Sequence, residues 1–128
     1  IEQNKFTGYL KKLENNVRFS INNLQDLLNA IENRINFFDQ NGCRLSDFGL
    51  EKIYAQNFTI EEVDAILKKR FAGAQITTSE VSIYRSCLQY YLSKMYNDKN
   101  WIQQFHLGAI RNNTSKLQEQ YGTEVGCD

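Results

Sequence analysis

The sequence predicts a mainly α-helical fold with two short β-strands, near residues 43–46 and 102–106. Three observations make that prediction. Proline is absent, where a chain of this length averages about six at the usual ~5%, so the chain is biased towards uninterrupted helix. Apolar residues recur at helical spacing in four separate stretches. Two brief segments break that rhythm: one follows a Gly turn and ends in Ser46-Asp47, and the other is an apolar run ending in His106-Leu107-Gly108.

Phe6, Tyr9, Leu10 and Leu13 mark a short amphipathic helix that contains Gly8 and that Glu14-Asn15-Asn16 should interrupt. Ser20 is the expected N-cap of the next helix, its hydroxyl accepting from an orphan N–H two or three residues on. Leu24, Leu27, Leu28, Ile31, Ile35 and Phe38 form the stripe of that helix. Gly42 stops it, since glycine tolerates a left-handed conformation. A third helix opens at Thr59-Ile60-Glu61-Glu62, a cap followed by carboxylates that suit the helix dipole. Val63, Ile66, Leu67 and Phe71 give its apolar face, Lys68-Lys69-Arg70 its last turn, and Gly73 its end. Thr77-Thr78-Ser79-Glu80 resembles a capping box and opens a fourth helix, with Val81, Tyr84, Leu88, Tyr91, Leu92 and Met95 on its stripe. Asn97-Asp98-Lys99-Asn100 reads as a polar loop, and Ser115–Tyr121 as one more helix.

The chemistry is expected at the strands. Strand ends that deliver polar side chains into a crevice are where α/β enzymes keep their sites. The stretch Trp101–Asn113 holds the chain's single Trp and single His, with Arg111 among asparagines beyond a Gly. Asp47 would stand at the carboxyl end of the other strand; alternatively Ser46 or Asp47 caps a helix beginning near Phe48. Were Asp47, His106 and Arg111 to converge, a carboxylate and an imidazole could move protons while a guanidinium fork holds an anionic substrate. A histidine at a strand end is also commonly a satisfied structural residue.

Composition narrows the alternatives. Fifteen basic and fifteen acidic side chains cancel, so no global field favours nucleic acid or an anionic membrane. The basic triplet 68–70 reads as a solvated helix end favoured by the dipole rather than a nucleic-acid patch, and the tyrosines of the fourth helix as core or interface rather than a base-stacking platform. No apolar run approaches the roughly 20 residues of a membrane span. Cys43, Cys87 and Cys127 are widely spaced and odd in number, which suits reduced thiols in a cytoplasmic protein better than a disulfide framework. Asn57-Phe58-Thr59 and Asn112-Asn113-Thr114 match the glycosylation pattern, and with no secretory signal visible at Ile1 these are expected to be chance matches.

Two motifs carry a resemblance. NGCRLSD at 41–47 and WIQQFHLGAIRNN at 101–113 closely resemble segments of uronate isomerases of the amidohydrolase superfamily, as does LKKRFAG at 67–73. The similarity runs from about Phe6 to Asp128. It implies a region of a distorted (β/α)8 barrel in an enzyme interconverting D-glucuronate with D-fructuronate and D-galacturonate with D-tagaturonate. The reaction shifts a proton between C2 and C1 through an enediol. On this resemblance Asp47 looks like the active-site carboxylate and general acid/base, His106 like the strand-end histidine that contacts substrate, and Arg111 like the arginine that helps hold the anionic sugar.

The departure from the family pattern is equally informative. The resemblance implies a divalent metal, zinc, held by an H-x-H pair on the first barrel strand and an Asp on the last. A chain with one His has no such pair, and a barrel takes roughly 250 residues. The expectation is therefore a single domain, residues 1–128, forming part of a larger enzyme, binding no metal and inactive alone. Strand edges left open outside a barrel would favour self-association. The competing expectation is a stand-alone helical module, descended from the enzyme, that binds a partner or a uronate through Tyr84, Tyr90 and Tyr91.

Overall fold

A computed structural model describes residues 1, 6–108 and 114–122 of the chain. Helices α1 (Phe6–Val17) and α2 (Leu24–Gln40) lead into strand β1 (Leu45–Leu50). Helices α3 (Ile60–Phe71) and α4 (Thr78–Asp98) cross over to strand β2 (Ile102–Leu107), and α5 (Ser115–Tyr121) follows. The two strands pair in parallel, Leu45 opposite Ile102 through to Leu50 opposite Leu107. The mainly helical fold with two short strands is as expected; several boundaries are not.

Glu14-Asn15-Asn16 does not break α1, because the Glu14 carboxylate is used further on, accepting from the backbone N–H of Ile21 at 2.7 Å. The cap of α2 is Asn23 rather than Ser20. Its side chain accepts from Asp26 N at 2.8 Å, and the Asp26 carboxylate accepts in return from Asn22 N at 3.0 Å. Asp64 of α3 then takes the N–H of Leu24 at 2.9 Å, so a neighbouring helix completes the cap. Strand β1 also departs from the expected 43–46. It starts at Leu45 and runs on through Phe48 to Leu50, so no helix begins at Phe48 and Asp47 lies within the strand instead of at its end. The extension is driven by pairing: Phe48 stands opposite Phe105, ring centroids 6.2 Å apart. Helix α4 runs one turn's fraction further than the polar loop suggested, ending at Asp98, and Asn100 turns the chain in a left-handed conformation (φ +56°).

The expected caps at Thr59 and Thr77 are both present, the second as a full capping box with Glu80. Gly42 and Gly73 follow their helices at φ +88° and +80°, a region that disfavours a Cβ. The principal core joins all four long helices: Leu10 and Leu13 of α1, Leu24 and Leu27 of α2, Val63 and Leu67 of α3, and Tyr84 and Cys87 of α4 are buried together. Burial pushes the Cys87 thiol up to about 11. A second cluster, Ile35, Tyr96 and Trp101, with Phe48 packed on it, lies between the helices and the strands. Tyr84, expected as a contact residue of a binding module, is thus core; Tyr91 packs partly buried against the core and Tyr90 is exposed.

The basic end of α3 is engaged within the fold. Lys68 pairs with Asp64 at 2.7 Å, Lys69 with Glu80 at 2.8 Å, and Arg70 Nε donates to the Ile1 carbonyl at 2.9 Å. Lys69 and the Thr77 backbone N–H together hold the Glu80 carboxyl down to about 2, from an ordinary 4.5. Because the folded value is depressed, the stability from this cap is present above the unfolded value and is lost as pH falls through the folded one. Glu80→Gln should therefore lower the urea midpoint at neutral pH, and the difference from the parent should shrink between about pH 5 and pH 2. A difference independent of pH across that window would contradict the assignment. No helix among the described residues is long and apolar enough to cross a membrane.

Candidate active site

Successive residues of a strand face opposite sides, and the burial of β1 follows that alternation: Ser46, Phe48 and Leu50 turn towards the helices, Leu45, Asp47 and Gly49 away from them. On β2, Gln103 and Phe105 turn inward beside them, while Ile102, Gln104 and His106 share the outward face with Asp47. The strand pair is therefore covered by the helices on one side. Its outward face is open, with Leu45 52% and Ile102 69% exposed at the amino end.

Two of the three expected site residues meet on that face. His106 Nδ1 lies 2.9 Å from Asp47 Oδ1, both side chains a little under half exposed. The register explains how. Asp47 is opposite Gln104, and His106 is opposite Gly49. The carboxylate thus reaches diagonally to the imidazole, and a Cβ at Gly49 would meet no atom within 4 Å. The contact is an ion pair when the ring is protonated, and with a neutral ring the carboxylate favours the tautomer bearing its hydrogen on Nδ1. Nε2 then carries the lone pair.

Gln104, which the sequence did not single out, joins them. Its Nε2 stands 3.5 Å from His106 Nε2, on the same face. The signal was available, since residues i and i+2 of any strand share a side. Arg111, the third expected member, lies outside the described residues. As for a metal, no group of three His, Cys, Asp or Glu side chains comes together among the described residues. Asp47 and His106 are two donors, too few for a structural or catalytic centre of the usual three or four protein ligands. The described residues alone do not make a metal centre.

The described residues thus form a helix-flanked parallel strand pair that presents an aspartate, a histidine and a glutamine on one open face. Comparison with known proteins makes this specific. The family model for glucuronate isomerase matches residues 1–128; the chain belongs to the glucuronate isomerase family. The uronate isomerase of Flavobacterium johnsoniae is 40% identical over 128 residues, all of this chain and 27% of that protein. That of Bacteroides thetaiotaomicron is 39% identical over 96% of this chain and 26% of its own length. The crystal structure of uronate isomerase from Thermotoga maritima superposes with a TM-score of 0.86 at 25% identity, over 97% of this chain and 28% of that one. The chain thus spans about a quarter of the length of the relatives it matches.

Proposed function

We propose that this chain supplies part of the active site of a uronate isomerase, and that the open face of the strand pair looks into that site. The observation that carries the proposal is the 2.9 Å contact between Asp47 and His106 on the outward face, in a chain whose relatives are uronate isomerases. Aldose–ketose isomerisation takes the proton from C2, leaves an enediol, and returns a proton to C1, while the hydroxyl proton passes from O2 to O1. A carboxylate and an imidazole in contact can accept and return those protons. Gln104, with both donor and acceptor atoms, would contact a sugar hydroxyl beside them. Arg111 would hold the uronate carboxylate, a role its planar fork suits.

In the complete enzyme the outward residues Leu45 and Ile102 would be covered by the rest of a (β/α)8 barrel, to which residues 1–128 contribute as one region, and a divalent metal, zinc, would be held by residues beyond this chain. By itself the chain would be inactive and would self-associate through its open strand edges. The test is to assay the complete enzyme containing this chain on D-glucuronate and D-galacturonate. Both should be converted to their keto forms, and Arg111→Met should raise KM by roughly tenfold or more with a smaller change in kcat. No conversion of either uronate would overturn the reading; unchanged KM would remove Arg111 from it.

A further inference from the structure

We propose that Asp39 is the positioning residue of the Asp47–His106 pair, tying the amino ends of both strands together and so setting the register on which the pair depends. The proposal rests on the reading of Asp47 and His106 given above.

Asp39 stands one residue before the end of α2. A carboxylate is electrostatically misplaced there, because the carbonyl end of a helix already carries partial negative charge. Its partners lie on the chain segments leading into the strands. Oδ1 accepts from the indole N–H of Trp101, the residue before β2, at 2.8 Å, and from the Arg44 guanidinium, on the residue before β1, at 3.1 Å. Lys99 Nζ stands 4.0 Å from Oδ2. The Arg44 carbonyl in turn accepts from Ile102 N at 2.9 Å, at the head of the strand ladder. One carboxylate therefore joins the residue before β1 to the residue before β2. Tyr96 completes the clamp, stacked on Trp101 with ring centroids 5.5 Å apart and planes within 6°.

A parallel pair needs such a device. In a hairpin the turn dictates register, but here α3 and α4 intervene between the strands, so no turn links them. A slip of one residue would send the histidine side chain to the opposite face. It would carry His106 away from Asp47 and from any substrate above the outward face.

The test uses the complete enzyme carrying this chain. Asp39→Ala should lower kcat by about ten- to a hundredfold, with KM for the uronate within about twofold. Asp39→Asn, which keeps an acceptor oxygen in place, should restore most of the loss. Trp101→Phe preserves the stack and removes the indole donor, and should reproduce the kcat loss if Asp39→Ala does not fold. Crystal structures of the variants should show Asp47 and His106 out of hydrogen-bond reach. In a double-mutant cycle, Asp39→Ala should cost little more once Asp47→Asn is present. Wild-type kcat in Asp39→Ala or in Trp101→Phe, an unmoved pair in the crystal, or full additivity would each overturn the positioning role. Wild-type turnover in Asp47→Asn alone would instead overturn the reading beneath it.

Discussion

His106→Asn in the complete enzyme should cut turnover by about 10²–10⁴-fold, the range for loss of a group that transfers protons, with the unfolding midpoint unchanged. The two halves of that expectation come from one geometry. The imidazole lies on the outward face, little under half exposed, and touches Asp47 and Gln104 instead of core side chains. Removing it opens no cavity. Asp47→Asn keeps the shape and removes the charge that faces Nδ1, so it should lose turnover as well while folding normally. Steady-state kinetics beside circular dichroism would check both variants. Near wild-type turnover in the two would remove the pair from the chemistry, and a collapse of folding would mean that the pair is structural.

The opposite pattern is expected in the helical core. Leu67 of α3 is fully buried with Leu24, Leu27, Val63 and Cys87. Leu67→Ala deletes buried methyl groups in a site walled by three helices that cannot all relax inward. A loss of about 2–5 kcal/mol is the usual cost of such a truncation, read from urea unfolding. Activity per folded molecule should stay near normal below the melting transition, because Leu67 lies on the helical side of the strands and the pair on the other. A loss under about 0.5 kcal/mol, the scale of a surface change, would contradict the packing described.

Much of this was legible in the residues. The stripe of α2 from Leu24 to Ile35, the Thr59 and Thr77 caps, the Gly42 and Gly73 stops and the bounds of α5 follow from local rules, and the structure repeats them, whereas Phe38, expected on that stripe, is 47% exposed. What failed was decided by distant partners. Ser20, Asn22 and Asn23 are all competent near the start of α2; Asn23 caps it where Asp64, from α3, takes the N–H of Leu24. Phe48-Gly49-Leu50 has no strong strand signature alone, and it is extended because Phe105, His106 and Leu107 lie beside it. The apolar Leu45 and Ile102 concealed which face of the pair is open, since burial beneath the helices and burial by another part of a protein look alike in sequence. Asp47 and His106 were singled out at strand ends and again by motif resemblance; that they touch follows from the register, which sets Asp47 diagonally across from the imidazole.

The alternation along the two strands also bears on how such a site can change over time. Ser46, Phe48, Gln103 and Phe105 are committed to the helices, while Asp47, Gly49, Gln104 and His106 are spared that duty. If that face receives the substrate as proposed, substitutions at the second set alter what it meets while leaving the packing behind it intact. Stability and specificity are thus written on separate residues of the same short segments. A lineage exploring new sugars could revise Gly49 or Gln104 in single steps, each intermediate still folded, and the framework that aims the side chains would pass unaltered from one activity to the next.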